Sequence, residues 1–164
     1  MITKRLLLVF FAVIAVLMVR SNGYAQKMAV DGKFGLSIFS GGGNNSTGIL
    51  FGGALDLPVA QNLYARPELN ITTRGGTPIE LGGGVKYNIP SASSSMMFYV
   101  DGGLGLWFYS GGPYVGLDFT GGAIFPLSGS NLKIPAEIRI GPIFASGSTV
   151  FQIALTSGVR FSIP

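Results

Sequence analysis

The chain has 164 residues, 26 of them glycine, and it contains no cysteine and no histidine. It is 48% hydrophobic and only 11% charged, the reverse of the composition of a disordered chain. The missing residue types exclude a disulfide framework, a thiolate metal site and any catalyst that uses an imidazole base. The length fits a single domain.

The first 25 residues have the layout of a cleavable signal peptide. A short basic region precedes an unbroken apolar run at 6–19, and a polar stretch then leads to the small residue Ala25. As a helix this run would span roughly 21 Å, short of the ~30 Å hydrocarbon core, which disfavours the alternative of an uncleaved anchor. We therefore predict a signal peptide at 1–25 and one mature domain at 26–164.

The charge of the precursor depends largely on that leader. Lys4, Arg5 and Arg20 lie within it, so cleavage lowers the formal net charge from +4 to about +1. A nucleic-acid-binding domain needs a basic face. The mature chain has no such excess, and we predict no nucleic-acid partner.

Beyond Gln26 the sequence alternates between apolar and polar residues in short runs, separated by spacers rich in Gly, Ser, Asn and Pro. This pattern is typical of strands and tight turns. Neighbouring strands joined by such short spacers should pair antiparallel. The runs are longer than ordinary strands and suit tilted membrane-spanning strands of about 9–11 residues. Eight strands are predicted, over residues 29–39, 48–59, 63–73, 78–89, 96–109, 113–125, 133–145 and 149–163.

Within these strands the large apolar residues share one face and the charges share the other. A soluble barrel would place the apolar face inside, whereas a membrane barrel places it against lipid. The charged face is too sparse and too padded with glycine for a solvent surface, and it suits the cramped lumen of an eight-stranded barrel. Buried charges must be paired. Asp31 and Lys33 share the parity of the predicted lumenal ion-pair network, which comprises Asp56, Arg66, Glu68, Glu80, Lys86, Asp101, Asp118, Glu137, Arg139 and Arg160.

Acids and bases also stand at symmetric positions about three of the turns. Opposite charges facing each other across an antiparallel ladder are favourable. Symmetry about the spacers AQN, PSASSS and PLSGSNL predicts the lumenal pairs Asp56–Arg66, Lys86–Asp101 and Asp118–Arg139.

A signal peptide followed by eight alternating strands, apolar outside and ion-paired inside, resembles the small outer-membrane barrels of the OmpA/OmpX type. The resemblance covers 28–164 and implies an all-β, eight-stranded, antiparallel up-and-down transmembrane barrel in a Gram-negative outer membrane, with both termini periplasmic. GGGNNST, RGGT, SGG and SGS would then lie outside the cell. The implied partners are outer-membrane lipid and the barrel-assembly machinery, and an extracellular or envelope protein partner stays open.

Three features depart from the usual pattern of such barrels. The chain ends at Phe161-Ser-Ile-Pro164 and not in the common terminal aromatic, and the outer loops are no longer than the inner turns. Pro67 and Pro142 fall inside strands 3 and 7, where each should remove a ladder hydrogen bond or mark a bulge. Aromatic residues near strand ends are predicted to form the interfacial girdles. These are Phe39, Tyr64, Phe98, Phe108, Tyr109 and Tyr114.

The sequence offers little chemistry. We predict no catalytic residues, no cofactor and no metal site. Glu68 and Glu80 are conceivable as an acid/base pair, but membership of an ion-pair network is favoured. Trp107, Tyr109 and Tyr114 near an outer loop could contact a ligand, but a girdle or lumen packing is the first explanation.

The leading functional hypothesis is a non-enzymatic outer-membrane barrel with a structural or surface-interaction role and no open pore. The alternatives are a minor, porin-like pore or transport component, and a secreted soluble barrel that binds an apolar ligand.

Overall fold

A computed structural model describes residues 27–90, 96–109, 112–145 and 147–163. The predicted signal peptide and its cleavage site lie outside the described residues. In the described part, no helix is long and apolar enough to cross a membrane. The eight strands are β1 (Ala29–Gly41), β2 (Asn44–Ala60), β3 (Leu63–Thr73), β4 (Ile79–Ile89), β5 (Met97–Tyr109), β6 (Gly112–Pro126), β7 (Leu132–Ala145) and β8 (Ser148–Ser162).

The strands form one closed barrel in sequence order. Each pairs antiparallel with its neighbour, and β1 closes the ring against β8, with Lys33 opposite Gly158. Closure removes every free sheet edge. The predicted eight-stranded up-and-down barrel is therefore confirmed, with each strand within a few residues of its predicted limits. The β1–β2 and β3–β4 turns lie at one end of the barrel, which we call the hairpin end, as do the last residues of β5 and β7 and the first residues of β6 and β8. The described chain begins and finishes at the other end, the terminal end.

The first hairpin is tighter than the spacer GGGNNST suggested. Strand β2 begins at Asn44, so the turn is reduced to Gly42 and Gly43, with φ of 62° and 81°. A two-residue turn with positive φ at both positions matches the twist of the flanking strands, and glycine adopts it without steric cost. The alternation of the strands continues into the Asn and Ser residues, which pair with the end of β1.

Both prolines lie within continuous strands. Pro67 pairs with Gly83 of β4, and Pro142 pairs with Phe151 of β8. On the other edge of its strand each proline lies in a gap of the hydrogen-bonded ladder. The gap beside Pro67 faces β2, and the gap beside Pro142 faces β6. Since proline has no N–H, the ladder is interrupted on one side only and the strand limits are unaffected.

The apolar face points outwards. Phe34, Leu104 and Phe151 are 58–60% exposed, whereas the charged side chains of the predicted network, such as Asp56 and Arg66, are buried inside. Leu57 departs from this, being only 1% exposed beside the register shift between Pro58 and Ala60. An apolar exterior around a charged interior is the arrangement of a membrane-spanning barrel, and it rules out the alternative of a soluble barrel with an apolar interior.

The predicted aromatic girdle is largely wrong. Phe98 is exposed on the outer wall and Phe108 has the same outward parity, but the other four aromatics take inward positions. Phe39 and Tyr64 are only 3% and 7% exposed. Proximity to a strand end does not decide the face, because the side chains alternate: Phe39 has the inward parity of Lys33.

Candidate functional site

The lumen of the barrel holds a continuous charged cluster. It contains all ten residues of the predicted network together with Asp31 and Lys33, which gives five bases and seven acids. Each strand contributes inward positions only, because alternate side chains of a β-strand face opposite sides.

Arg66 is the centre of this cluster. Its guanidinium contacts Asp56 at 3.1 Å, Asp31 at 3.2 Å, Glu68 at 2.8 Å and Glu137 at 2.5 Å. Asp101 lies 3.4 Å from its Nε atom. The side chain is fully buried. The planar fork of arginine donates five N–H groups, which is why one residue can join carboxylates from several strands.

Towards the terminal end, Asp31 and Asp56 form salt bridges with three bases. Asp56 accepts from Lys86 Nζ at 2.7 Å and from Arg160 Nη2 at 2.6 Å, in addition to Arg66. Arg160 also binds both oxygens of Asp31 at 3.0–3.1 Å, across the β1–β8 seam. Both contacts come from Nη1, and hydrogen bonds between ionised groups are stronger than those between neutral groups. This seam is therefore closed by an ion pair as well as by the backbone ladder.

Towards the hairpin end, Arg139 joins Glu68 and Glu80. Its Nη1 atom lies 3.1 Å from Glu80, and its Nη2 atom contacts Glu68. The amide of Asn70 donates to Glu80 at 2.8 Å and to Glu68 at 3.3 Å. Both carboxylates are thus engaged as acceptors, which fits a structural role for the pair that was conceivable as an acid/base couple.

Tyr99 is a member of the cluster that the charge pattern did not identify. Its hydroxyl donates to Glu137 at 2.6 Å, and Lys86 Nζ lies 3.9 Å from the centre of its ring. Gly122 on the neighbouring strand makes room for it, since a Cβ there would lie 2.4 Å from the ring. The inward parity of Tyr99 opposite a glycine was the available sequence signal.

The three predicted cross-turn pairs have different outcomes. Asp56 and Arg66 are in contact, as the AQN turn predicted. Lys86 and Asp101 are opposite each other in the ladder, but Lys86 bonds to Asp56.

The third pair, Asp118–Arg139, is wrong by two residues, because Arg139 lies opposite Thr120. The connection between Pro126 and Lys133 is centred beyond the predicted midpoint, with Gly129 at φ 77°. A five-residue connection between strands closes in several registers, whereas a two-residue turn allows one.

Little space remains between these side chains. A void of about 10 Å³ lies among Arg66, Glu80, Asp118 and Arg139. That is about the volume needed for one water molecule. Within the described residues, no group of carboxylates is arranged to hold a metal ion.

An apolar plug lies above the charged cluster at the hairpin end. It consists of Phe39, Trp107 and Ile143, all less than 8% exposed. The Phe39 and Trp107 rings meet edge to face with centroids 5.8 Å apart, a favourable aromatic geometry. Tyr114 and Val150 pack against the plug.

Several solved structures share this architecture. Neisserial surface protein A matches with a TM-score of 0.70 and 15% identity, over 83% of this chain and 97% of that one. The fold is that of the small outer-membrane barrels. The N-terminal barrel domain of Pseudomonas aeruginosa OprF matches with a TM-score of 0.58 and 12% identity, over 83% and 98% of the two chains. A de novo designed transmembrane barrel matches with a TM-score of 0.53 and 16% identity, over 85% of this chain and 98% of that one.

No family model and no curated protein matches the sequence. The predicted resemblance to OmpA/OmpX-type barrels is thus confirmed at the level of the fold. Sequence identities of 12–16% support no conclusion beyond the fold.

Proposed function

We propose that the mature chain is a structural and surface-interaction protein of a bacterial outer membrane, with a lumen that passes no solute and performs no catalysis. The observation that carries this proposal is the reversal of the usual protein pattern, with apolar side chains outside and ion pairs inside. An exposed apolar surface of this extent requires lipid around it.

The closed lumen is supported at two levels. The charged cluster fills the middle of the barrel, with Arg66 bonded to carboxylates on β1, β2, β3 and β7. The apolar plug then covers the hairpin end. Barrels with aqueous channels have 16–18 strands, whereas eight strands leave an interior that side chains can fill.

The absence of catalysis is supported by the state of the buried carboxylates. Glu68, Glu80 and Glu137 are each held by an arginine, and the chain has no histidine to serve as an alternative base. General acid–base work requires a group that is free to exchange a proton with a substrate in reach.

Two experiments test the proposal. Cell fractionation should place the protein in the outer-membrane fraction, and its band on gel electrophoresis should migrate differently after boiling. Recovery from the soluble periplasm would contradict the proposal. Reconstitution in planar bilayers should give no conductance steps from the wild type. Steps that disappear in Arg66→Met or Arg139→Met would instead favour the pore alternative.

A further inference from the structure

A second cavity lies at the hairpin end of the barrel, above the apolar plug. Its volume is about 170 Å³. We call it the aromatic cup; it is lined by Phe39, Arg74, Pro78, Trp107, Tyr109 and Tyr114, with small aliphatic residues of β7 and β8. An apolar protein cavity of roughly 150 Å³ accommodates a benzene molecule, so the cup has room for a single ring or a short alkyl body.

The cup contains one charged group, the guanidinium of Arg74. It lies 4.3 Å from the centre of the Phe39 ring and 5.2 Å from that of Tyr109. Its Nη1 atom donates to Ser46 Oγ at 2.9 Å. These three contacts hold the group in place before any ligand arrives, which reduces the entropy cost of binding.

No acidic side chain of the described residues neutralises Arg74. All seven acidic side chains belong to the lumenal cluster, and Arg74 forms no salt bridge with any described residue. An arginine with vacant donors above an apolar pocket is suited to an anionic head on an apolar body, because the fork binds a carboxylate through two parallel hydrogen bonds.

The segment that carries Arg74 is held in place by Tyr109 of the neighbouring strand β5. The Tyr109 hydroxyl donates to the carbonyl oxygen of Gly75 at 2.7 Å. Gly76 has φ 87°, and a Cβ there would lie 2.5 Å from the Tyr109 ring. Tyr109 therefore packs against the β3–β4 turn so closely that only glycine fits, and this contact fixes the position of the guanidinium over the cup.

We propose that the aromatic cup binds a small monocarboxylate with a single-ring apolar body, with Arg74 receiving the carboxylate and the plug forming the floor. The site goes beyond the proposed function. Binding is measurable on purified protein, so a negative result here would leave the membrane assignment untouched.

The floor of the cup supplies the reporter, because Trp107 is the only tryptophan in the chain. The test is a titration of the protein in lipid nanodiscs with benzoate, following emission excited at 295 nm. Benzyl alcohol, a neutral molecule of similar shape, is the matched ligand. We expect a saturable change with benzoate and binding at least roughly tenfold weaker with benzyl alcohol.

Three variants complete the experiment. Arg74→Gln should weaken benzoate binding at least roughly tenfold, and Ala145→Leu, which fills the cup without altering its charge, should weaken both ligands. Lys133→Gln removes a base at the terminal end and should bind like the wild type.

Three results would each overturn the proposal. The first is the absence of any saturable change up to about 10 mM benzoate, a range that includes affinities weaker than 1 mM. The second is equal affinity for the two ligands, and the third is unchanged benzoate binding in Arg74→Gln.

Discussion

The Nη2 atom of Arg66 donates to Glu137 Oε1 across 2.5 Å, and in doing so joins β3 to β7 on opposite sides of the barrel. The two side chains together bridge the lumen between these strands. In an eight-stranded barrel of this size the interior is narrow enough for long charged side chains from opposite walls to meet and satisfy each other.

Replacement of Arg66 should be among the most damaging changes in the lumen. Arg66→Met leaves up to five buried carboxylates with one base fewer, and uncompensated burial of charge costs about 3–5 kcal/mol. We expect a loss of that size in the free energy of unfolding, measured in urea from the fraction of heat-modifiable folded band. Lys133→Met, at the terminal end, is the control. A loss below about 1 kcal/mol relative to this control would show that the lumen relaxes around the missing base.

Tyr99 offers a milder test of the same cluster. Tyr99→Phe removes only the hydroxyl that donates to Glu137, and hydrogen bonds to charged groups contribute about 1.5–3 kcal/mol. The free energy of unfolding should therefore decrease by about 1.5–3 kcal/mol. Tyr87→Phe is the matched control, because Tyr87 is 42% exposed on the outer wall. Equal effects of the two changes would contradict a specific contribution from the buried hydroxyl.

The sequence was sufficient to predict the strands, their faces and the presence of a charged lumen. These properties depend on side-chain parity, which repeats every two residues and can be read locally. Phe39 and Tyr114 were assigned to the girdle from their place near strand ends, although their parity already placed them inside.

The partners within the lumen were not predictable from the same pattern. Lys86 lies beside Asp101 in the ladder yet bonds to Asp56, two strands away. Parity assigns a face but not a partner, and in a narrow lumen a long side chain can reach several strands. Arg74 and its cup were missed for a related reason, since the cup forms only when five strands converge with the β3–β4 turn.

Two glycines of β1 give a direct test of packing at the seam that closes the barrel. A Cβ on Gly35 would lie 1.9 Å from the carbonyl oxygen of Leu155 in β8, whereas a Cβ on Gly32 meets nothing within 4 Å. Gly35→Ala should lower the free energy of unfolding by about 1–3 kcal/mol, because the backbones must separate. Gly32→Ala should change it by less than about 0.5 kcal/mol. If both variants unfold at the wild-type urea concentration, β1 and β8 are less closely apposed than the structure indicates.

Arginine substitutions on the outer wall test whether the apolar face meets lipid. Leu104 lies in the middle of β5 and is 58% exposed, whereas Leu132 is the first residue of β7 and lies near the end of the barrel. In a bilayer, arginine costs about 2–4 kcal/mol at the midplane and about 0–1 kcal/mol near the interface. Leu104→Arg should therefore destabilise the protein folded in lipid vesicles far more than Leu132→Arg does. An exterior that met water would tolerate both, because an exposed arginine is fully solvated there. Comparable stability of the two variants in vesicles would thus contradict the membrane-spanning arrangement, while a depth-dependent penalty would locate the middle of β5 within the hydrocarbon layer.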